Sequence, residues 1–174
     1  MPNHLSTLGI IHTAISILAL ISAFYALARY GRINPANGAG KVYVLLTIIT
    51  CLTGLPIMKT GHPTPGHFLA LIILVLLPLG IFAKSIKPFG KGAEYIQVFI
   101  LSLTLFFSCI PAVVETLTRL PISAPIAANP NAPVIQIGLI ILFVCFMAGV
   151  IYQIIKLMKT KSKATTETPG ISPG

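Results

Sequence analysis

The sequence predicts an all-α integral membrane protein, built as a bundle of five transmembrane helices. Three observations predict this fold class. Five long apolar stretches occur within 174 residues. Charged residues make up only 9% of the chain, against about 25% in soluble domains. Lysine and arginine fall almost entirely on alternate connecting segments, which is typical of a chain that crosses a bilayer repeatedly.

The predicted spans follow the apolar stretches in chain order. They are Leu8–Tyr30, Val42–Met58, His67–Ala83, Tyr95–Val114 and Val134–Lys156. A helix needs about 20 apolar residues to cross the hydrocarbon layer, so the second and third spans are short and are expected to stand nearly upright. Residues 1–6 lack lysine and arginine, so the first span is interpreted as a retained helix and not as a cleaved signal peptide.

Two segments outside the spans have a distinct composition. The transmembrane domain is assigned to residues 1–160, and residues 161–174 are rich in Lys, Thr, Pro and Gly. Such a segment buries little apolar surface, so a disordered tail is predicted there. The segment Glu115–Pro133 carries four prolines among apolar residues and is expected to form a stiff cap over the bundle.

The basic residues predict an orientation. One set of connections carries ten of them, namely Arg29, Arg32, Lys41, Lys84, Lys87, Lys91, Lys156, Lys159, Lys161 and Lys163. The other set carries Lys59 and Arg119. The positive-inside rule then places the N-terminus outside and the C-terminus in the cytoplasm. All five tyrosines, Tyr43 among them, fall at the cytoplasmic ends of their predicted spans, where tyrosine favours the membrane–water boundary.

One stretch carries a family likeness. Gly40–Pro56, GKVYVLLTIITCLTGLP, with Gly66–His67 opening the next span, resembles a group of small bacterial multi-pass membrane proteins of unknown function. In that group a histidine-containing loop precedes a Gly-basic-x-Tyr-Val helix start. Lys41 and Tyr43 match that start, whereas the loop Gly31–Gly40 has no histidine. The resemblance implies a bacterial inner membrane and supplies no mechanism.

The candidate site consists of polar residues predicted at the outer ends of the spans. His12, His62, His67 and Glu115 belong to three different segments at that side. Imidazole nitrogens ligate Zn, Cu or Fe, and a carboxylate can complete the set, so these four are the candidate ligands of a divalent metal. His12 and His67 are also the candidate pair for binding a b-type haem. The alternative is that the helix-end residues are ordinary, partly hydrated interface residues and that His62 is a turn residue between Gly61 and Pro63.

Three functions stay open at this point. The chain shows no recognisable catalytic set, with three acidic residues and no phosphate loop or nucleophile motif, so an accessory or structural subunit that contacts lipid and other membrane subunits is favoured. The alternatives are a metal- or haem-binding protein and a small-solute permease, the latter because Thr47, Thr50 and Thr53 share one face of the second span. The net charge of +9 flanks apolar segments and does not indicate nucleic acid. The three cysteines lie inside spans and predict no disulfide.

Overall fold

A computed structural model describes residues 6–57 and 61–166, with side chains through residue 163. Five α-helices follow one another: α1 (Thr7–Tyr30), α2 (Gly38–Gly54), α3 (Pro65–Ile81), α4 (Ala93–Arg119) and α5 (Pro133–Thr166). Two short 3-10 helices, Ala83–Ser85 and Lys87–Gly92, connect α3 to α4. These ranges contain no β-strand. The predicted all-α fold class is confirmed.

Four segments of the described chain are long and apolar enough to cross a membrane, and they indicate a membrane-embedded protein. They are Thr7–Tyr30, Pro65–Ser85, Lys87–Arg119 and Pro133–Lys163. The helix α2 is equally apolar but has 17 residues. It rises about 26 Å, slightly less than the roughly 30 Å of a hydrocarbon layer.

Local side-chain contacts set the ends of the first two helices. The Ser6 hydroxyl accepts the Gly9 N–H at 3.1 Å and begins α1, and Gly31, with φ of 72°, ends it. A residue with a side chain is strained at that φ, so glycine suits this position. The Asn37 side-chain oxygen Oδ1 accepts the Gly40 N–H at 2.7 Å and begins α2. This helix therefore starts earlier than the predicted Val42, and the predicted end at Met58 lies outside the described residues.

Two helices are longer than predicted. The helix α4 continues past Val114 to Arg119, so the first residues of the predicted cap are helical. The helix α5 continues past Lys156 to Thr166, and the predicted disordered tail is wrong for Lys161–Thr166. In this part of α5 the Lys161 ammonium lies 2.9 Å from a Glu94 carboxylate oxygen, a contact with α4 that the local composition does not reveal. Residues 167–174 lie outside the described chain.

The core lies among α1 to α4. Small residues of α1, Ala19, Ala23 and Ala26, are buried in the helix that packs chiefly against α2. The backbone of α4 lies close to the backbones of α1, α3 and α5. Its contact with α2 is made by side chains, in which the partner of Thr104 is a tyrosine of α2. That partner, Tyr43, is fully buried, so the prediction that it lies at the membrane–water boundary is wrong.

The helix α5 stands apart from this core. Among the helices it packs on α4 alone, through one narrow stripe that includes Ile135, Val150 and Gln153. The rest of its surface is exposed and apolar up to Tyr152. Such a surface suits lipid, since hydrocarbon chains solvate Ile, Val and Phe as well as another helix does.

Candidate functional site

The four predicted ligands do not form one metal site. His12 lies in the second turn of α1, His67 in the first turn of α3, His62 in the exposed loop before α3 and Glu115 near the end of α4. Among the residues that the structure describes, no group of three or more His, Cys, Asp or Glu side chains could hold a metal ion. The predicted convergence on a divalent metal is therefore not supported.

His12 joins α1 to α2. Its Nδ1 lies 3.2 Å from the Thr53 hydroxyl oxygen, and that hydroxyl donates its hydrogen to the Ile49 carbonyl at 2.8 Å. A hydroxyl has one hydrogen, so when Thr53 donates to Ile49 it accepts from Nδ1–H of His12, and in that tautomer the lone pair of the ring is on Nε2.

The absence of a side chain at Gly54 makes room for the His12 ring. A Cβ atom placed on Gly54 would lie 3.0 Å from Cε1 of His12 and 3.5 Å from its Nδ1. The first distance is tighter than nine in ten real Cβ contacts, whereas the second is an ordinary van der Waals contact. The end of α2 and the start of α1 therefore approach closely because residue 54 is glycine.

His67 has a structural role that conflicts with metal binding. Its Nδ1 accepts the backbone N–H of Thr64 at 3.0 Å, which satisfies a donor at the start of α3. An accepting Nδ1 is unprotonated, so the proton of neutral His67 is on Nε2. That nitrogen is buried and has no hydrogen-bond partner among the described residues. To bind iron or zinc through Nε2, His67 would have to carry its proton on Nδ1 and release the Thr64 N–H, with the Thr64 hydroxyl oxygen, 2.9 Å from Nδ1, as the remaining partner.

The remaining two candidates are on the surface. Glu115 pairs with Arg119 one turn further along α4, and its side chain is 55% exposed. It is close enough to act electrostatically on His12. The His62 side chain is exposed. Of the four predicted ligands, Glu115 is thus paired with Arg119, and a His12–His67 haem would require His67 to release the Thr64 N–H.

A set of polar contacts that the sequence analysis missed joins the helices through α4. The Gln97 amide donates to the Gly80 carbonyl of α3 at 2.9 Å. The Gln153 amide of α5 donates to the Ser102 hydroxyl at 3.0 Å. The Thr104 hydroxyl lies 2.9 Å from the hydroxyl of Tyr43 on α2. Gln97 and Gln153 could have indicated these contacts in the sequence, because a side-chain amide within a membrane span is costly unless it is hydrogen-bonded.

The threonine face of α2 contributes mainly to packing. Thr47 is buried, and Thr53 is bonded to its own helix and to His12. The Thr50 hydroxyl is buried without a partner among the described residues. Cys51 is buried beside this face and is a free thiol, as predicted.

At the opposite end of the bundle lies a charged group that we call the Glu94 cluster: Glu94 with Arg32, Lys84 and Lys161. The Glu94 carboxylate lies 2.8 Å from Lys84 Nζ, 2.9 Å from Lys161 Nζ and 3.6 Å from an Arg32 guanidinium nitrogen. Its side chain is 23% exposed. One carboxylate thus connects the end of α1, the α3–α4 connection and the end of α5.

Comparison of the chain with protein-family models, with curated proteins and with solved structures finds no match.

Proposed function

We propose that this protein is a non-catalytic accessory or structural subunit of a membrane complex, bound through its α4–α5 loop (residues 120–132). In this proposal α2 is the fifth span, the N-terminus lies outside and the C-terminus lies in the cytoplasm. The assembly of Arg32, Lys84 and Lys161 at one end supports this orientation, since that end carries the positive charge. The resemblance of Gly40–Pro56 to small bacterial proteins supports the inner membrane.

The observation that carries the proposal is the exposed apolar surface of the α4–α5 loop. Ile122 is 82% exposed, Ile126 58% and Leu120 49%. They follow the Glu115–Arg119 ion pair, which marks the polar end of α4. Large apolar side chains that stay exposed beyond such a boundary are typical of a binding surface.

This loop is held in shape by its own backbone bonds. The Ile126 N–H donates to the Leu120 carbonyl at 3.2 Å, and the Ala127 N–H donates to the Leu117 carbonyl at 2.9 Å. The Ala127 side chain is buried against the bundle. A loop that is ordered before it binds loses little conformational entropy on binding, which favours recognition by a partner subunit.

The interior polar groups support a structural role as well. Gln97, Ser102 and Thr104 of α4 each bond to a different neighbouring helix. These bonds fix the bundle as a rigid body that can present the loop. The permease alternative rests on the unpartnered Thr50 hydroxyl, and the bonded state of Thr53 beside it favours packing instead.

The test compares two charge substitutions in adjacent exposed loop positions. The protein is extracted from its native membrane in mild detergent, and its assembly size is measured by native electrophoresis with mass spectrometry. We expect a complex of defined stoichiometry that Ile122→Asp releases and Ser123→Asp leaves intact, because both add one charge and only the first removes the apolar contact. Unchanged melting of purified Ile122→Asp in detergent confirms that its fold is intact.

A wild-type protein that runs alone, or two variants that stay bound equally well, would exclude the proposed role of the loop.

A further inference from the structure

The C-terminal part of α5 forms a basic groove outside the bundle. It is lined by Tyr152, Ile155, Lys156, Lys159, Thr160 and Lys163. The three lysines recur at intervals of three and four residues, which places them on one face of the helix. Apolar side chains therefore line the groove toward the middle of α5, and ammonium groups line it toward the end.

The length of α5 places this groove at the edge of a bilayer. Its 34 residues span about 51 Å, and a hydrocarbon layer is about 30 Å thick. The apolar part of the helix fills that thickness up to Tyr152, and the lysines follow directly. Ammonium groups in this position lie at the level of lipid head groups.

The described part of the chain places no carboxylate beside the cations of the groove. Lys161 points to the other side of α5, where it pairs with Glu94. Lys159 and Lys163 are exposed, and within the described chain neither lies in salt-bridge range of a carboxylate.

Lys156 is held in place at the inner end of the groove. Its Nζ lies 5.9 Å from the centre of the Tyr152 ring. Its side chain also packs against Gly31, where a Cβ atom would lie within 2.9 Å of three Lys156 side-chain atoms. The end of α1 thus positions the Lys156 ammonium at the inner end of the groove. The exposed side chains of Lys159 and Lys163 can adjust to a ligand further out.

We propose that this groove binds the phosphate head group of an anionic phospholipid, independently of the proposed subunit role. The phosphate lies among Lys156, Lys159 and Lys163, and an acyl chain lies along Ile155 and Tyr152 onto the exposed apolar face of α5. The charge complementarity is direct, since the groove offers three ammonium groups to a phosphodiester. A lipid fits better than a soluble anion because the groove continues into the apolar surface of the helix.

The test is lipid retention in native mass spectrometry. Full-length protein is purified from mixed micelles that contain equal amounts of phosphatidylglycerol and phosphatidylcholine. We expect wild-type protein to retain phosphatidylglycerol selectively, and Lys159→Gln with Lys163→Gln to weaken that retention roughly 30-fold, from two head-group contacts. The matched control is Lys87→Gln with Lys91→Gln, which removes two exposed lysines in the α3–α4 connection and is expected to retain the lipid.

Arginine at positions 159 and 163 keeps the charge and is expected to restore retention, which separates loss of binding from loss of fold. If both glutamine pairs weaken lipid retention equally, the lipid binds to a diffuse positive surface, and the proposed binding in the groove is wrong. Equal retention of the two lipids by wild-type protein would overturn the proposal outright.

Discussion

The hydrogen bond between Tyr43 and Thr104 makes a quantitative prediction about the core. The Thr104 hydroxyl donates its hydrogen to the Leu101 carbonyl at 2.8 Å, so the Tyr43 hydroxyl is the donor in the contact between them. Tyr43→Phe removes that donor and preserves the ring. Interhelical hydrogen bonds in membrane proteins contribute about 0.6 kcal/mol on average and about 1.7 kcal/mol at most, so we expect a loss of stability of about 1 kcal/mol.

Substitution of the other partner, Thr104, is expected to lower stability further. Thr104→Val keeps the shape and leaves the fully buried Tyr43 hydroxyl without its acceptor. A buried polar group left unbonded costs about 1–3 kcal/mol, and the nearby Ser108 hydroxyl places this case in the lower part of that range. The double variant removes both partners, so it should be no less stable than Thr104→Val alone.

The measurement is a double-mutant cycle from unfolding in mixed detergent micelles, followed by helical circular dichroism. We expect a coupling energy of about 1 kcal/mol between the two positions. Strictly additive effects, in which the loss of the double variant equals the sum of the two single losses, would show that the hydroxyls do not interact and would refute this account of the core.

Two further predictions concern the ends of the bundle. Glu94→Gln leaves three cations without their shared carboxylate and should lower stability by about 1 kcal/mol, more at low salt than at high salt. Glu115→Gln removes an exposed carboxylate with a single partner and should have little effect. The reverse order in thermal melts would argue against the Glu94 cluster. Gly54→Ala places a methyl group 3.0 Å from His12 and should separate α1 from α2. We expect a lower melting temperature, which the additional substitution His12→Ala partly restores. A Gly54→Ala protein as stable as wild type would contradict this close approach.

The sequence predicts the helices well because apolar stretches in a chain this poor in charge have few other uses. The sequence predicts poorly which side chains of a helix face the core of the bundle. Tyr43 near a span end has the same local sequence whether it faces the bilayer surface or α4, and only the packing of α2 decides. Lys161 was assigned to a disordered tail because its neighbours are polar. Its helix is stabilised by Glu94, a partner far away in the chain that composition does not reveal.

The candidate site shows the same limit. The sequence predicts histidines at one side of the membrane, and this common depth is the reason to expect that they bind one metal ion. Depth does not determine which nitrogen carries the proton. The Thr64 N–H that occupies Nδ1 of His67 follows from the geometry of one helix start, and it separates a capping histidine from a metal ligand.

The attachment of α5 to α4 has a consequence for biosynthesis. Helices leave the ribosome in chain order, and α1 to α4 make their mutual contacts without the last one. A nascent chain with α5 still in the exit tunnel can already bury Tyr43 and Leu77, while Glu94 has only Arg32 and Lys84 as partners. Arrival of Lys161 then adds a third cation to this carboxylate, so the emergence of α5 ties its C-terminal part to the start of α4.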